Sequence, residues 1–133
     1  MELIDKIGLI HIQDDRVLMT RSKGKDVFYF PGGKRESGES DEQTLHREIK
    51  EELNVELIPG TIMYLNTFQT QAHGQPEGTL LKTTYYSAKY TGELRPSSEI
   101  EEFIYCDSEV DPTMLTEMGK LVFAWLKQKD LIE

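Results

Sequence analysis

Between Ser40 and Asn54 the chain spells a helix bounded at both ends, with carboxylates where a surface helix does not put them. Ser40-Asp41-Glu42-Gln43 fits a capping box, with the Ser40 hydroxyl accepting from the Gln43 backbone while the Gln43 side chain reaches back. Asn54 follows the last periodic residue, at the position where a left-handed backbone closes a helix. On a helical wheel Leu45, Ile49 and Leu53 form one narrow apolar stripe. Glu48 and Glu52 border that stripe instead of lying opposite it, and Glu51 lies further round. Being one turn apart, Glu48 and Glu52 can reach a single ion. Donors that are all oxygen suit a hard divalent cation, Mg²⁺ or Mn²⁺, and not zinc. The wheel alone leaves one alternative open, an ordinary Glu-rich surface helix. Arg47 stands one turn before Glu51 and can pair with it.

The formal charge of the 133-residue chain is −9, and it is carried by two segments. Residues 34–52 hold seven acids against four bases, and residues 93–111 hold seven against one. Crowded carboxylates repel unless solvated, paired or bound to a cation. An acidic chain is a poor partner for a nucleic-acid polymer, which needs a basic surface. The length predicts one domain over residues 1–133, and no apolar run is long enough to span a membrane. A single cysteine, Cys106, and no apolar leader over Met1–Lys6 predict a reducing, cytoplasmic setting.

Apolar alternation predicts strands over Lys6–Ile12 and Arg16–Arg21, turning at Asp14-Asp15, and a short strand over Val27–Phe30 stopped by Pro31-Gly32-Gly33. Thr61–Thr70 and Thr79–Tyr90 read as a long hairpin around a Gly/Pro loop, and Ile100–Cys106 as a further strand. Leu115, Met118, Val122, Trp125 and Leu126 predict a second helix over Leu115–Lys129, started by Asp111-Pro112-Thr113. The order β-β-β-α-β-β-β-α implies an α+β fold, a mixed central sheet between helices in an α/β/α sandwich. Gly32 and Gly33, just before the first helix, let the backbone approach a phosphate or turn a carbonyl to a cation.

Gly33, Glu39, Arg47-Glu48-Ile49, Glu51-Glu52 and Val55, with their fixed gaps, resemble the signature box of the Nudix hydrolase family, here residues 33–55. The one departure is Asn54, where the family has glycine; asparagine tolerates the same positive φ. The resemblance implies a loop-helix-loop catalytic element and a Nudix-like sandwich with a C-terminal helix. It also implies roles. Glu48 and Glu52 would be the principal metal ligands, joined by Glu51 and the Gly33 carbonyl, with Arg47 and Glu39 orienting the glutamates. The family adds a carboxylate from outside the box as ligand or general base. Glu99 occupies the most similar position, ahead of Glu102 and Glu101.

The implied reaction is Mg²⁺-dependent hydrolysis (Mn²⁺ an alternative) of a phosphoanhydride in a small-molecule nucleoside diphosphate derivative. Arg21, Lys23 and Lys25 are the cations that could meet the remaining phosphate charge. The proline that ADP-ribose hydrolases carry downstream of the box is missing near Gln71, and Ala72-His73 replace the tyrosine of dinucleoside polyphosphate hydrolases. By elimination the chain looks most like the small MutT-type enzymes, which turn a nucleoside triphosphate, including an oxidised one, into monophosphate and pyrophosphate. A dinucleotide or nucleotide-sugar pyrophosphatase, or a non-catalytic Nudix-like nucleotide-binding domain, is the alternative. The expected assembly is a monomer or homodimer. Tyr29, Phe68, Tyr85, Tyr86 and Phe103 are aromatics that could stack on a base, and none is singled out.

Overall fold

In the strand Leu3–Leu9 (β1), alternation places Ile4, Lys6 and Gly8 on one face and Asp5, Ile7 and Leu9 on the other. That strand organises the computed structural model, which describes residues 2–133. It is followed by β2 (Ile12–Gln13), β3 (Arg16–Ser22), β4 (Gly32–Lys34), α1 (Asp41–Leu53), β5 (Glu56–Leu57), β6 (Met63–Gln71), β7 (Leu80–Ser87), β8 (Tyr90–Thr91), β9 (Ile100–Cys106) and α2 (Glu117–Gln128). β1 runs parallel to β7 and antiparallel to β4, giving a four-stranded mixed sheet in the order β4-β1-β7-β6. β2, β3 and β9 form a three-stranded antiparallel sheet, and β5 pairs with β8.

Two apolar cores lie on opposite faces of these strands. Leu45, Ile49 and Leu53 of α1 pack with Ile7, Leu9 and Leu18. Met118, Val122, Phe123 and Leu126 of α2 pack with Val17, Met19 and Tyr85. Val17, Leu18 and Met19 are all fully buried because neighbouring residues of β3 face different helices. Each such side chain contributes roughly 1.5–3 kcal/mol relative to exposure. The α/β/α layering expected from the element order is the observed architecture, with helix α1 carried on the face of Ile7 and Leu9.

The Asp14-Asp15 turn has positive φ at both residues, 54° and 60°, the geometry that matches the twist of a tight hairpin. The long β6–β7 hairpin and the bounds of β9 are also as expected. Three expectations need correction. Lys6–Ile12 is not one strand: β1 ends at Leu9 in the mixed sheet, and Ile12–Gln13 pairs with β3 in the other. Val27–Phe30 is not a strand: Tyr29 bridges Thr20, and Phe28 bridges Leu115 on another side. Val27 and Phe28 are both buried, so this segment crosses between layers instead of lying along one sheet. The ladder forms instead at Gly32–Lys34, where close packing on β1 outweighs the poor strand propensity of glycine. Asp111-Pro112-Thr113 starts only a 3₁₀ turn over Pro112–Met114. Leu115 is then extended, and α2 starts afresh at Thr116, whose Oγ1 accepts from the Gly119 N–H at 3.1 Å.

Candidate active site

The capping chemistry of α1 sets the azimuth of every glutamate on it. Ser40 and Gln43 make both bonds of the capping box (3.2 and 2.9 Å), and Asn54 closes the far end at φ 59°, ψ 33°. With the apolar stripe fixed in the core, Glu52 is driven inward and is only 5% exposed. Its Oε1 accepts the Gly32 N–H at 3.2 Å. Glu48, one turn back, lies against Gly33, where a β-carbon would stand 2.5–2.7 Å from its carboxylate atoms. Gly33 therefore creates the space that Glu48 occupies. Gly32 is required for another reason: its φ is +147°, and a β-carbon there would run into the Ile7 carbonyl.

Glu48 has Arg47 as its partner, whereas Glu52 forms no ion pair among the described residues. Burial pushes the Glu52 carboxyl up to about 9, and the charges of Glu48 and Glu99 add to the shift. Burial also raises Glu48, against the pull of Arg47. Lys6 is the nearby cation on the sheet. Its own pKa is lowered by burial and then by Lys34, while Glu52 and Glu48 oppose the shift. Hard-oxygen groups withdrawn from water and crowded by further carboxylates fit a divalent cation, which would supply positive charge. Among the described residues no three such side chains are already gathered as a complete ligand set. Glu48 and Glu52 are a pair, with Glu99 close enough to perturb both.

Arg47 holds this arrangement. Its Nε and Nη2 donate to the two oxygens of Glu39 at 2.7 and 2.8 Å, Nη1 donates to Glu48 Oε1 at 2.8 Å, and Nη2 also reaches the Lys34 carbonyl at 3.0 Å. Glu39 further accepts the Glu36 N–H and the Thr44 hydroxyl at 2.8 and 3.0 Å. Led by the Arg47 hydrogen bonds, these contacts hold the Glu39 carboxyl down to about 2. The pair ties the loop before α1 to the turn that carries Glu48.

Glu51 stands apart from the other two. Its side chain is half exposed, and its ionic contact is Arg47 at 3.6 Å. The other end of the site is strapped down through backbone. Arg95 N–H donates to the Leu53 carbonyl, Ser97 N–H to the Glu52 carbonyl, and the Ser97 hydroxyl to the Glu51 carbonyl. These bonds bring the loop between β8 and β9, and with it Glu99, to the end of α1. Glu102 is instead paired with Arg21 at 2.9 Å, and Glu101 is exposed on β9.

A cleft of about 300 Å³ leads away from the glutamates across the sheet. Its inner lobe has Ile4, Lys6 and Gly8 of β1 and Thr83 and Tyr85 of β7 beneath it, with Tyr29, Phe30, Met118 and His73 among its other lining residues. Its outer lobe holds Gly33, Arg47 and Glu48; Lys6, Gly32, Glu52 and Glu99 line both. The β6–β7 loop borders the inner lobe and is fastened by one side chain. Gln71 donates to the Pro76 carbonyl and accepts the Gly78 N–H, each at 3.0 Å.

The structure thus brings Glu48, Glu52, Glu99, Gly32, Gly33, Arg47 and Glu39 together. Arg21 and Lys23 do not join them. The Arg21 guanidinium is committed to Glu102 and, at 3.1 Å, to the Lys25 carbonyl; neither Arg21 nor Lys23 lines the cleft, whereas Lys25 does. Lys6 is the residue that sequence reasoning passed over. Its signal was a lysine on the same strand face as Ile4 and Gly8, a poor place for a charge with nothing to meet.

Residues 3–126 match the family model of the NUDIX domain, so the chain belongs to the Nudix family of pyrophosphohydrolases. Among relatives, it is 27% identical over 126 residues to an ADP-ribose pyrophosphatase of Methanocaldococcus jannaschii, covering 92% of this chain and 72% of that one. Among solved structures, a MutT NUDIX hydrolase from Burkholderia pseudomallei superposes with a TM-score of 0.76 at 22% identity, over 93% of this chain and 98% of that one. A bifunctional NMN adenylyltransferase/ADP ribose pyrophosphatase from Francisella tularensis, complexed with AMP and a Mn ion, superposes at 0.68 and 16% identity, over 96% of this chain and 42% of that one. No helix among the described residues is long and apolar enough to cross a membrane.

Proposed function

We propose that the chain is a Mg²⁺-dependent hydrolase (Mn²⁺ also serving) that splits a nucleoside triphosphate into monophosphate and pyrophosphate. One observation carries this reading: the Glu48–Glu52 pair, in which Glu48 alone has a cationic partner among the described residues, lies where a nucleoside-sized cleft meets an outer lobe lined by charged groups. Glu48 and Glu52 would hold the ion, with the Gly33 carbonyl beside them, and Glu51 would contribute through water. Bound there, the ion neutralises phosphate charge and lowers the pKa of water. The chain's own groups do the rest. Arg47 and Glu39 keep Glu48 in place, and the inner lobe holds the nucleoside so that its phosphates lie toward the glutamates. Glu99, exposed and adjoining both lobes, takes the proton of the attacking water.

Two of these assignments can be separated by mutation. Glu99→Gln slows turnover about 100-fold or more, within the range of general-base loss, whereas Glu101→Gln leaves it within about twofold. Equal effects in steady-state assays would remove Glu99 from this role. A second reading, cleavage of ADP-ribose, is supported by the 27% identity to the archaeal ADP-ribose pyrophosphatase over nearly the whole chain. The absence of the downstream proline near Gln71 weighs the other way. Phosphate-release assays over nucleoside triphosphates, 8-oxo-dGTP, dinucleotides, ADP-ribose and UDP-sugars, with Mg²⁺ and with chelator, decide between them. The triphosphate reading requires the highest kcat/KM on a triphosphate and reversible loss of activity in chelator.

A further inference from the structure

We propose that Lys6 is the substrate-binding cation of this site, gripping the phosphate next to the nucleoside and so fixing which phosphoanhydride reaches the glutamates. The inference rests on the nucleotide reading above and adds a residue outside the Nudix box. Four residues line both lobes of the cleft, Lys6, Gly32, Glu52 and Glu99, and Lys6 is the cation among them. Anything spanning from the inner lobe to Glu48 and Glu52 passes it.

The other basic groups nearby are differently placed or already occupied. Arg47 is bound to Glu39 and Glu48, and Arg35 to Asp41 and Asp5, and both line the outer lobe alone. Lys34 is opposite Lys6 in the β1–β4 ladder but belongs to the outer lobe, while Lys25 belongs to the inner one. Among the described residues Lys6 forms no ion pair within 4.0 Å. Half-buried on an otherwise apolar or uncharged strand face, its ammonium has given up part of its hydration without a paired anion in return. A phosphate at the junction of the lobes supplies that anion. Gly8, two residues along the same face, makes room for the Tyr85 ring, which would stand 2.6 Å from an added β-carbon, and both line the cleft beside Lys6. Thr83, the β7 partner of Lys6, is also on the cleft floor.

A resting-state role, in which Lys6 merely balances Glu48 and Glu52, makes a different forecast. It would disturb divalent binding and leave the phosphate unread. The test is calorimetric binding of adenosine, AMP, GMP and the α,β-methylene triphosphates to wild type, Lys6→Met, Lys6→Gln and Lys6→Arg. Mn²⁺ uptake without nucleotide is followed in parallel by electron paramagnetic resonance. A charge-assisted contact is lost in the Met and Gln variants, so AMP, GMP and the triphosphate analogues bind about 10–100-fold more weakly. Adenosine binding is unchanged, Arg keeps most of the affinity, and Mn²⁺ binds as tightly as before or tighter. The assignment is overturned if AMP and GMP stay within about threefold of wild type, if adenosine weakens in step with AMP, or if Mn²⁺ uptake falls. Failure of wild type to bind any nucleotide overturns the proposed function together with it. Wild-type binding with indifferent Lys6 variants overturns the Lys6 assignment alone.

Discussion

Glu52→Gln abolishes divalent-dependent hydrolysis and, in the metal-free protein at pH 8, raises the melting temperature. The first effect follows from removing the buried carboxylate that lines both lobes of the cleft. Partners that only orient a ligand are worth about 10–100-fold, so with Glu52 as the metal ligand proposed above its loss lowers kcat/KM by more than that. The second effect follows from the environment of the carboxyl. Burial, helped by Glu48 and Glu99, pushes Glu52 up to about 9 in the folded protein, against an ordinary value of 4.5. Between those values the folded state holds a proton that the unfolded chain has released. Metal-free stability therefore falls as pH rises from about 4.5 to about 9. Glutamine does not titrate and escapes this loss. At this chain length each kcal/mol moves the melting temperature by about 3–5 °C, which makes the difference measurable by scanning calorimetry. Saturating Mg²⁺ raises wild-type stability most at the alkaline end, where proton loss has left the pair charged. Undiminished turnover, or parallel pH profiles for the two metal-free proteins, would remove this account of the site.

The adjacent glycines give the second large effect, and they separate chemistry from folding. Gly33→Ala folds, because that residue lacks the left-handed backbone, but its methyl group takes the space of the Glu48 carboxylate. With Glu48 as the metal ligand proposed above, its displacement by an ångström or so costs about 100-fold in rate. Gly32→Ala combines a φ of +147° with a collision against the Ile7 backbone, and neither can relax cheaply. It destabilises the fold by about 3 kcal/mol or more. Urea denaturation and turnover, measured on both variants, should therefore rank them in opposite orders. A Gly33→Ala enzyme with full activity would mean that Glu48 has no need of the slot beside β4.

The readability of these features from sequence depended on how far apart the interacting residues lie. Helix α1 was legible because its caps and apolar stripe are all within 15 residues, Ser40 to Asn54. The inward position of Glu52 followed directly from Leu45, Ile49 and Leu53. The clamp of Arg47 on Glu39 is similarly local, its partners standing eight positions apart. Strand β4 was not legible, because Gly32 and Gly33 have no intrinsic preference for a ladder. They pair with Gly8 and Ile7 only because that close approach is available on β1. Arg21 was misjudged for the same reason of distance. Its partner Glu102 is 81 residues away, and the pairing appears only once β3 and β9 are in register. Lys6 shows the same limit. Its strand face, shared with Ile4 and Gly8, is the one local mark, and its place at the junction of the two lobes arises from strands brought together by the fold.

The bonds made by Gln71 have a consequence for how a ligand is received. A connection of this kind, left to itself, would be loose, and a guest would have to freeze it into shape. Here the hairpin tip is laced to its own main chain before any guest arrives, so docking carries little ordering entropy on that side. On the nucleotide reading proposed above, discrimination between bases comes from the fit of a standing wall, so Gln71→Ala narrows the spread of kcat/KM across a panel of nucleoside triphosphates more than it lowers kcat on the best of them.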